Sequence, residues 1–286
     1  MLISDRTSDV ISSSEISEAT TEKLVVRELS IRPFGYFEED LEIDFQQTHR
    51  PDLEIQILAC CMGNREGIKI DSSFFWNLEI GKRTEYLLTV ATLPNRSQIE
   101  FNLNCYNSEC QRQMEITILL LELILLQQQA ENHPTEIALE TKKFSLRKPT
   151  GIDQKSWLEQ QFPDEDSATL AMVQTLLPVE QISSFQQIFS QEKHWMQTLN
   201  QVMEEIDPLV NFSLQVNCPY CGTENLHDFD LGDWALQQLY RAQQQLLITV
   251  HRLASHYHWR ESDIFAIPPW RRSRYLDLIQ REVNYQ

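Results

Sequence analysis

The chain has 286 residues, a formal net charge of −18 and 42% hydrophobic residues. That apolar content supports a packed core and argues against wholesale disorder. The acidity argues against general nucleic-acid binding, which needs clustered Lys and Arg, and is read as a solubility feature.

Residues 1–22 are rich in Ser, Thr and Glu and lack aromatic side chains, the composition of a disordered or weakly docked arm. Residues 24–45 alternate apolar and polar positions around a Pro-Phe-Gly break, which predicts two strands or extended arms. Helices are predicted over Asp52–Met62 and Gly81–Leu93, the second with Tyr86, Leu87, Val90 and Leu93 on one side. Ile99, Phe101 and Leu103 then alternate up to Cys105, and Met114, Ile116 and Ile118 alternate after Cys110. A hairpin arm over Glu136–Arg147 follows. Thr150 or Asp153 caps a helix through Leu158, and Asp164 or Asp166 caps another through Leu177. Phe185, Ile188 and Phe189, then Trp195, Met196, Leu199, Val202 and Ile206, form helical stripes. Phe212, Leu214 and Val216 alternate into Cys218, with Leu226, Phe229 and Leu231 beyond Cys221, repeating the first cysteine unit. From Asp233 apolar residues fall at Leu236, Leu239, Leu246, Val250, Leu253 and Tyr257, one helical stripe interrupted at Gln243. After Trp259 and a short turn, Pro268 and Pro269 open a final helix.

The chemistry concentrates in the cysteines. Cys105 and Cys110 form one pair and Cys218 and Cys221 another, with 107 residues between the pairs. Four thiolates presented from tight turns between strands are the ligand set of a structural zinc ion, and this is the expected cofactor. Two readings compete: buried thiols without metal, and a redox C-x-x-C, which here lacks the following helix that would lower a thiol pKa. His227 stands near enough in sequence to replace a ligand. Cys60 and Cys61 lie in the apolar stretch LEIQILACCMG and are read as buried core. Six cysteines in so long a chain do not make a disulfide scaffold, and the polar opening segment carries no secretory pattern. The expected compartment is therefore the reducing cytoplasm, where paired cysteines favour metal. The most apolar run, Ile116–Leu126, has eleven residues and contains Glu122, too short to span a bilayer, so membrane contact is not indicated.

Catalytic grammar is missing. There is no glycine-rich phosphate loop, no H-E-x-x-H and no G-x-S-x-G, so a non-enzyme with no small-molecule substrate is expected. From Leu236 onward seven arginines stand against four Asp and Glu. Within this stretch Trp259, Trp270, Arg271, Arg272 and Tyr275 combine aromatic and cationic side chains, the composition of interface hot spots, and are read as partner-binding. The competing reading packs Trp270 and Tyr275 on the previous helix beneath a solvated arginine face.

The segment HRLASHYHWRESDIFAIPPWRRSRYLDLI, His251–Ile279, resembles the C-terminal signature of phage-like baseplate proteins in contractile injection systems. His251, Leu253, Ala254, Tyr257, Trp259, Asp263, Ile264, Ile267, Trp270, Arg271, Arg272, Tyr275 and Leu276 carry the likeness. Phe144–Leu158, Cys218–Gly222 and Glu79–Leu88 are similar to further parts of that family. The first cysteine pair departs from it, being C-x-x-x-x-C where relatives more often have C-x-x-C. The resemblance implies a structural baseplate component, assembled in the cytoplasm into a phage tail-like particle, with baseplate, hub or spike and sheath proteins as partners. An assembly chaperone of the same machine is one alternative, and a zinc-ribbon regulatory or nucleic-acid-binding protein is another.

The expected fold is α+β, with zinc-ribbon-like β-hairpins, a mainly helical body and a helical C-terminus. Its expected divisions are an arm at 1–22, a mixed extension at 23–98, a first cysteine hairpin unit with following strands at 99–149, and a helical insert at 150–208. A second cysteine hairpin unit at 209–232 and C-terminal helices at 233–286 complete it.

Overall fold

The computed structural model describes residues 29–95, 97–131, 136–139, 142–189 and 195–284, so the expected arm and the first residues of the expected 24–45 strands lie outside it. The fold is α+β: helices combined with four two-stranded antiparallel sheets among the described residues. Strand β1 (Leu29–Ile31) pairs with β2 (Met62–Asn64). The second strand expected before Phe45 is instead a 3-10 turn, Glu38–Glu42. Asp40 causes it, because its buried carboxylate accepts the backbone N–H of Gly35, Tyr36 and Phe37 and closes the chain on itself. Gly35 has φ +90°, and a Cβ there would stand 2.9 Å from Ala242, so only glycine lets this loop approach so closely.

Helix α1 (Arg50–Cys61) starts with Pro51 in its first turn and buries Leu53, Ile57, Leu58 and Cys61. Helix α2 (Ser72–Asn77) is capped by Asp71, which accepts from the Ser73 N–H. Helix α3 (Ile80–Thr92) is buried on most of its circumference, including Arg83, whose guanidinium donates to Glu54 at 3.0 Å. A helix apolar or paired all round runs through a core rather than along it.

Strands β3 (Gln98–Asn104) and β4 (Gln113–Leu119) form the first cysteine hairpin, with Ile99 opposite Ile118 and Leu103 opposite Met114. The apolar run beyond β4 becomes helix α4 (Leu120–Ala130), which the alternation did not predict. Glu122 reaches back to the Leu119 N–H and starts it, while Leu120, Leu123, Gln127 and Ala130 supply its buried face. Strands β5 (Glu136–Leu139) and β6 (Lys142–Ser145) form the expected hairpin. Helices α5 (Gly151–Glu159), α6 (Glu165–Leu176), α7 (Val179–Phe189) and α8 (Trp195–Ile206) follow. Asp164 caps α6 through the Ser167 N–H. Ile137 and Phe144 of the hairpin are buried with Val173, Phe185, Trp195 and Leu199 in a core of their own. The hairpin therefore packs with the helical body and not with the first cysteine unit, where the sequence reading had grouped it.

Strands β7 (Phe212–Asn217) and β8 (Glu224–Phe229) return to the main core, where Phe229 lies 4.3 Å from Phe101 of β3, centroid to centroid. Burying Ile99, Phe101, Leu103, Met114 and Ile118 contributes on the order of 10 kcal/mol gross at ~2 kcal/mol per side chain. Asp230 then caps the long helix α9 (Leu231–Tyr257), two residues ahead of the expected start, and receives the Arg50 guanidinium through both oxygens. Leu236 and Leu239 of α9 enter the main core, whereas Leu246, Val250 and Leu253 enter a third, C-terminal one. Gln243, the break in the stripe, marks that crossing and donates to the carbonyls of Asp40 and Ile43, both at 2.8 Å. His258, in the left-handed region at φ 56°, ends α9. Helices α10 (Glu261–Phe265) and α11 (Pro269–Asn284) fold back, bringing Ile264 and Ile279 against Leu253. No helix among the described residues is long and apolar enough to cross a membrane.

Candidate metal centre and docking face

The four cysteines singled out in the sequence meet. Cys105 follows β3, Cys110 precedes β4, Cys218 follows β7 and Cys221 precedes β8, and their sulfurs all lie within 4.8 Å of one another. Cys105 Sγ is 3.6 Å from Cys221 Sγ, and Cys110 Sγ is 3.8 Å from Cys218 Sγ. Each pair thus crosses from one hairpin to the other, and an ion held here would join chain segments 107 residues apart. Such a cluster could hold a metal ion.

Polar residues outside the cysteine motifs hold the two turns in place. Asn225, 1% exposed, accepts the Tyr106 N–H at 2.6 Å and donates to the Thr223 carbonyl at 2.7 Å. Asn107 bonds the Thr223 hydroxyl at 3.1 Å from the other side. Gly222 takes φ 74° and donates its N–H to the Cys218 carbonyl, closing the second turn. The sequence signal for these residues was weak: short polar side chains beside cysteines in a turn. Hydrogen bonding with the Thr223 hydroxyl, 3.3 Å from Cys221 Sγ, and with the Thr223 N–H holds the Cys221 thiol down at about 6. Burial pushes the Cys105 thiol up to about 11. His227 is not a ligand; it is buried with its ring 4.4 Å from that of Tyr106.

Asp40, Cys60 and Cys61 make a second group whose ligand atoms lie within 4.8 Å. The Arg32 guanidinium occupies it, 2.7 Å from Asp40 and 3.0 Å from Cys60 Sγ. A cation there would have to displace a cation. Cys61 is buried as the sequence reading held, and Cys60 is half-buried.

The five residues read as partner-binding divide. Trp270 is 68% exposed, and Arg271 is exposed beside it. Arg274 and Leu278 continue that outer face at one-turn spacing. Trp259 and Tyr275 instead build a half-buried aromatic cluster with Tyr257, with centroids 4.6–5.5 Å apart. Arg272 requires correction as a docking residue. It is 4% exposed, donates to the Tyr36 carbonyl and lies over the Phe265 ring, tying α11 to the N-terminal loop. Its neighbour Arg271 faces outward because successive helical residues are about 100° apart.

Comparison with protein-family models, with curated proteins and with solved structures returned no match.

Proposed function

We propose that this chain is a structural, non-catalytic baseplate subunit of a phage tail-like contractile injection particle, docking on neighbouring baseplate, hub or spike and sheath subunits. The observation that carries the reading is the way the His251–Ile279 pattern is used. Its apolar members Leu253 and Ile264 build a core, while Trp270 and Arg271 are left on the surface. An exposed tryptophan among arginines, in a chain of net charge −18, is poorly explained by solubility and well explained by a partner that covers it. The cysteine cluster supplies the rigidity such a subunit needs. We assign zinc as its ion and a zinc-ribbon character to the paired hairpins. Metal–sulfur bonds of ~2.3 Å in a tetrahedron place sulfurs ~3.8 Å apart, and the cross-hairpin pairs stand at 3.6 and 3.8 Å.

The test is incorporation of the double variant Trp270→Ala, Arg271→Ala into purified particles. It should fall about tenfold or more, the cost of losing an interface hot spot, while zinc content and thermal midpoint stay unchanged. Wild-type incorporation of the variant, or absence of the wild-type chain from intact particles, overturns the reading. The second outcome would favour an assembly chaperone.

A further inference from the structure

Beside the metal cluster, between the two cysteine hairpins, lies an open groove of about 750 Å³. Four consecutive residues of β4, Gln113–Ile116, form one wall, and Val216, Asn217 and Tyr220 form much of the other. Successive residues of a strand point to opposite faces, so a groove that touches all four meets the edge of the strand rather than a face.

The register shows what that edge offers. Cys105 N–H bonds the Arg112 carbonyl and Leu120 N–H bonds the Ser97 carbonyl, extending the β3–β4 pairing at both ends. Hydrogen-bonded and non-bonded pairs alternate along an antiparallel ladder. Met114, Ile116 and Ile118 therefore spend their backbone groups on β3, and Gln113, Glu115 and Thr117 turn theirs away. The same count on the second hairpin, from Cys218 N–H to the Thr223 carbonyl, turns Gln215 and Asn217 of β7 away from β8. Both sheets stop at two strands, and among the described residues no group bonds these outward backbone atoms. The outer edge of β3 is treated differently, with Trp234 Nε1 donating to the Glu100 carbonyl. Nor is the β4 edge blunted in the usual ways: it holds no Pro or Lys, and Glu115 is its one charge.

We propose that this groove receives an extended segment of a partner protein, which adds as a strand to the free edge of β4 while β7 closes the opposite wall. A row of alternating N–H and C=O groups is complementary to another extended backbone. Gln113–Thr117 matches about five residues of strand, ~17 Å. Ile116 and Val216, both half-buried, call for apolar side chains at alternate positions of the incoming strand. Glu115, exposed, calls for Lys or Arg across from it. The partner segment is therefore an alternating apolar strand carrying a basic residue. The same carboxylate, with the net charge of −18, disfavours nucleic acid. The site stands whether or not the chain belongs to a particle.

A displayed library of random twelve-residue peptides, selected on the metal-loaded full chain, tests this. Glu115→Pro removes one outward N–H and the carboxylate but leaves the β3 pairing intact. Selected peptides should alternate, carry Lys or Arg, and bind Glu115→Pro at least about tenfold more weakly. Should that variant misfold, the best peptide N-methylated at alternate residues serves instead, since it leaves the protein untouched and should bind about tenfold more weakly in one of its two methylation phases. Failure to enrich any peptide, or equal binding by the N-methylated forms, overturns the proposal. Two further outcomes also overturn it by naming another occupant: tighter peptide binding after deletion of residues 1–28, or a dimer in sedimentation that Glu115→Pro dissolves.

Discussion

A zinc ion held by the cysteine cluster would make stability depend on free zinc in a way that can be worked out beforehand. The informative variant is Cys221→Ser, because Cys221 is exposed whereas Cys105 and Cys218 are buried. A serine at Cys218 would leave a hydroxyl in the core and confound loss of metal with loss of packing. With Cys221 removed, three sulfurs from both hairpins remain, and the core side chains beneath them are untouched. An ion that binds the folded chain and not the unfolded one contributes about 2.7 kcal/mol at one hundred times its dissociation constant, and about 1.4 kcal/mol more for each further tenfold. At ~2–4 °C per kcal/mol for a chain of this size, the thermal midpoint should rise by about 3–6 °C per decade of buffered free zinc. Thermal unfolding followed by circular dichroism at several fixed zinc activities measures that slope. Cys221→Ser should flatten it and should match the wild type stripped by a chelator. A midpoint independent of zinc in the wild type, or an unchanged slope in Cys221→Ser, refutes the four-sulfur site.

The same cluster shows which parts of this fold were legible in the sequence. The cysteine pairs were legible because like donors recur at short spacing, and the strands that present them alternate strictly: Ile99, Phe101 and Leu103 are all buried. The helices over 80–92, 151–159 and 165–176 followed from caps and stripes for equally local reasons. What failed was the reading of polar residues. Asp40 gathers the backbone N–H groups of residues three to five positions before it and turns an alternating stretch into a 3-10 turn, a local tie that the alternation hid. Gln243 looked like a flaw in an apolar stripe because its partners, the carbonyls of Asp40 and Ile43, lie two hundred residues away in the chain. Arg272 resembled its exposed neighbours until the Tyr36 carbonyl was placed beside it. Gln243 and Arg272 were misjudged because each satisfies backbone that only the tertiary fold brings near.

Two further predictions test buried polar ties, one long-range and one local. Gln243→Leu should cost about 2–4 kcal/mol by urea unfolding, since it deletes two hydrogen bonds and leaves a buried carbonyl unpaired; a cost below about 1 kcal/mol would show that the loop over α9 holds without them. Asp153 is buried at the start of α5, which alone would raise its pKa, but the Arg147 guanidinium at 2.6 and 2.7 Å and the Thr150 N–H and hydroxyl, both at 2.8 Å, hold the carboxyl below the usual carboxylate range. A carboxyl whose folded pKa is depressed binds its proton more readily unfolded, so its contribution is complete above the ordinary value near ~3.9 and is lost as pH falls through the folded value. Asp153→Asn should therefore cost about 1.5–3 kcal/mol at pH 7, the worth of hydrogen bonds to a charged group, and that gap from wild type should narrow as the pH is lowered from 5 towards 3. Paired urea titrations across that range decide it: a gap that stays constant would mean that Asp153 acts as a neutral cap through shape alone, and that the ion pair with Arg147 contributes nothing.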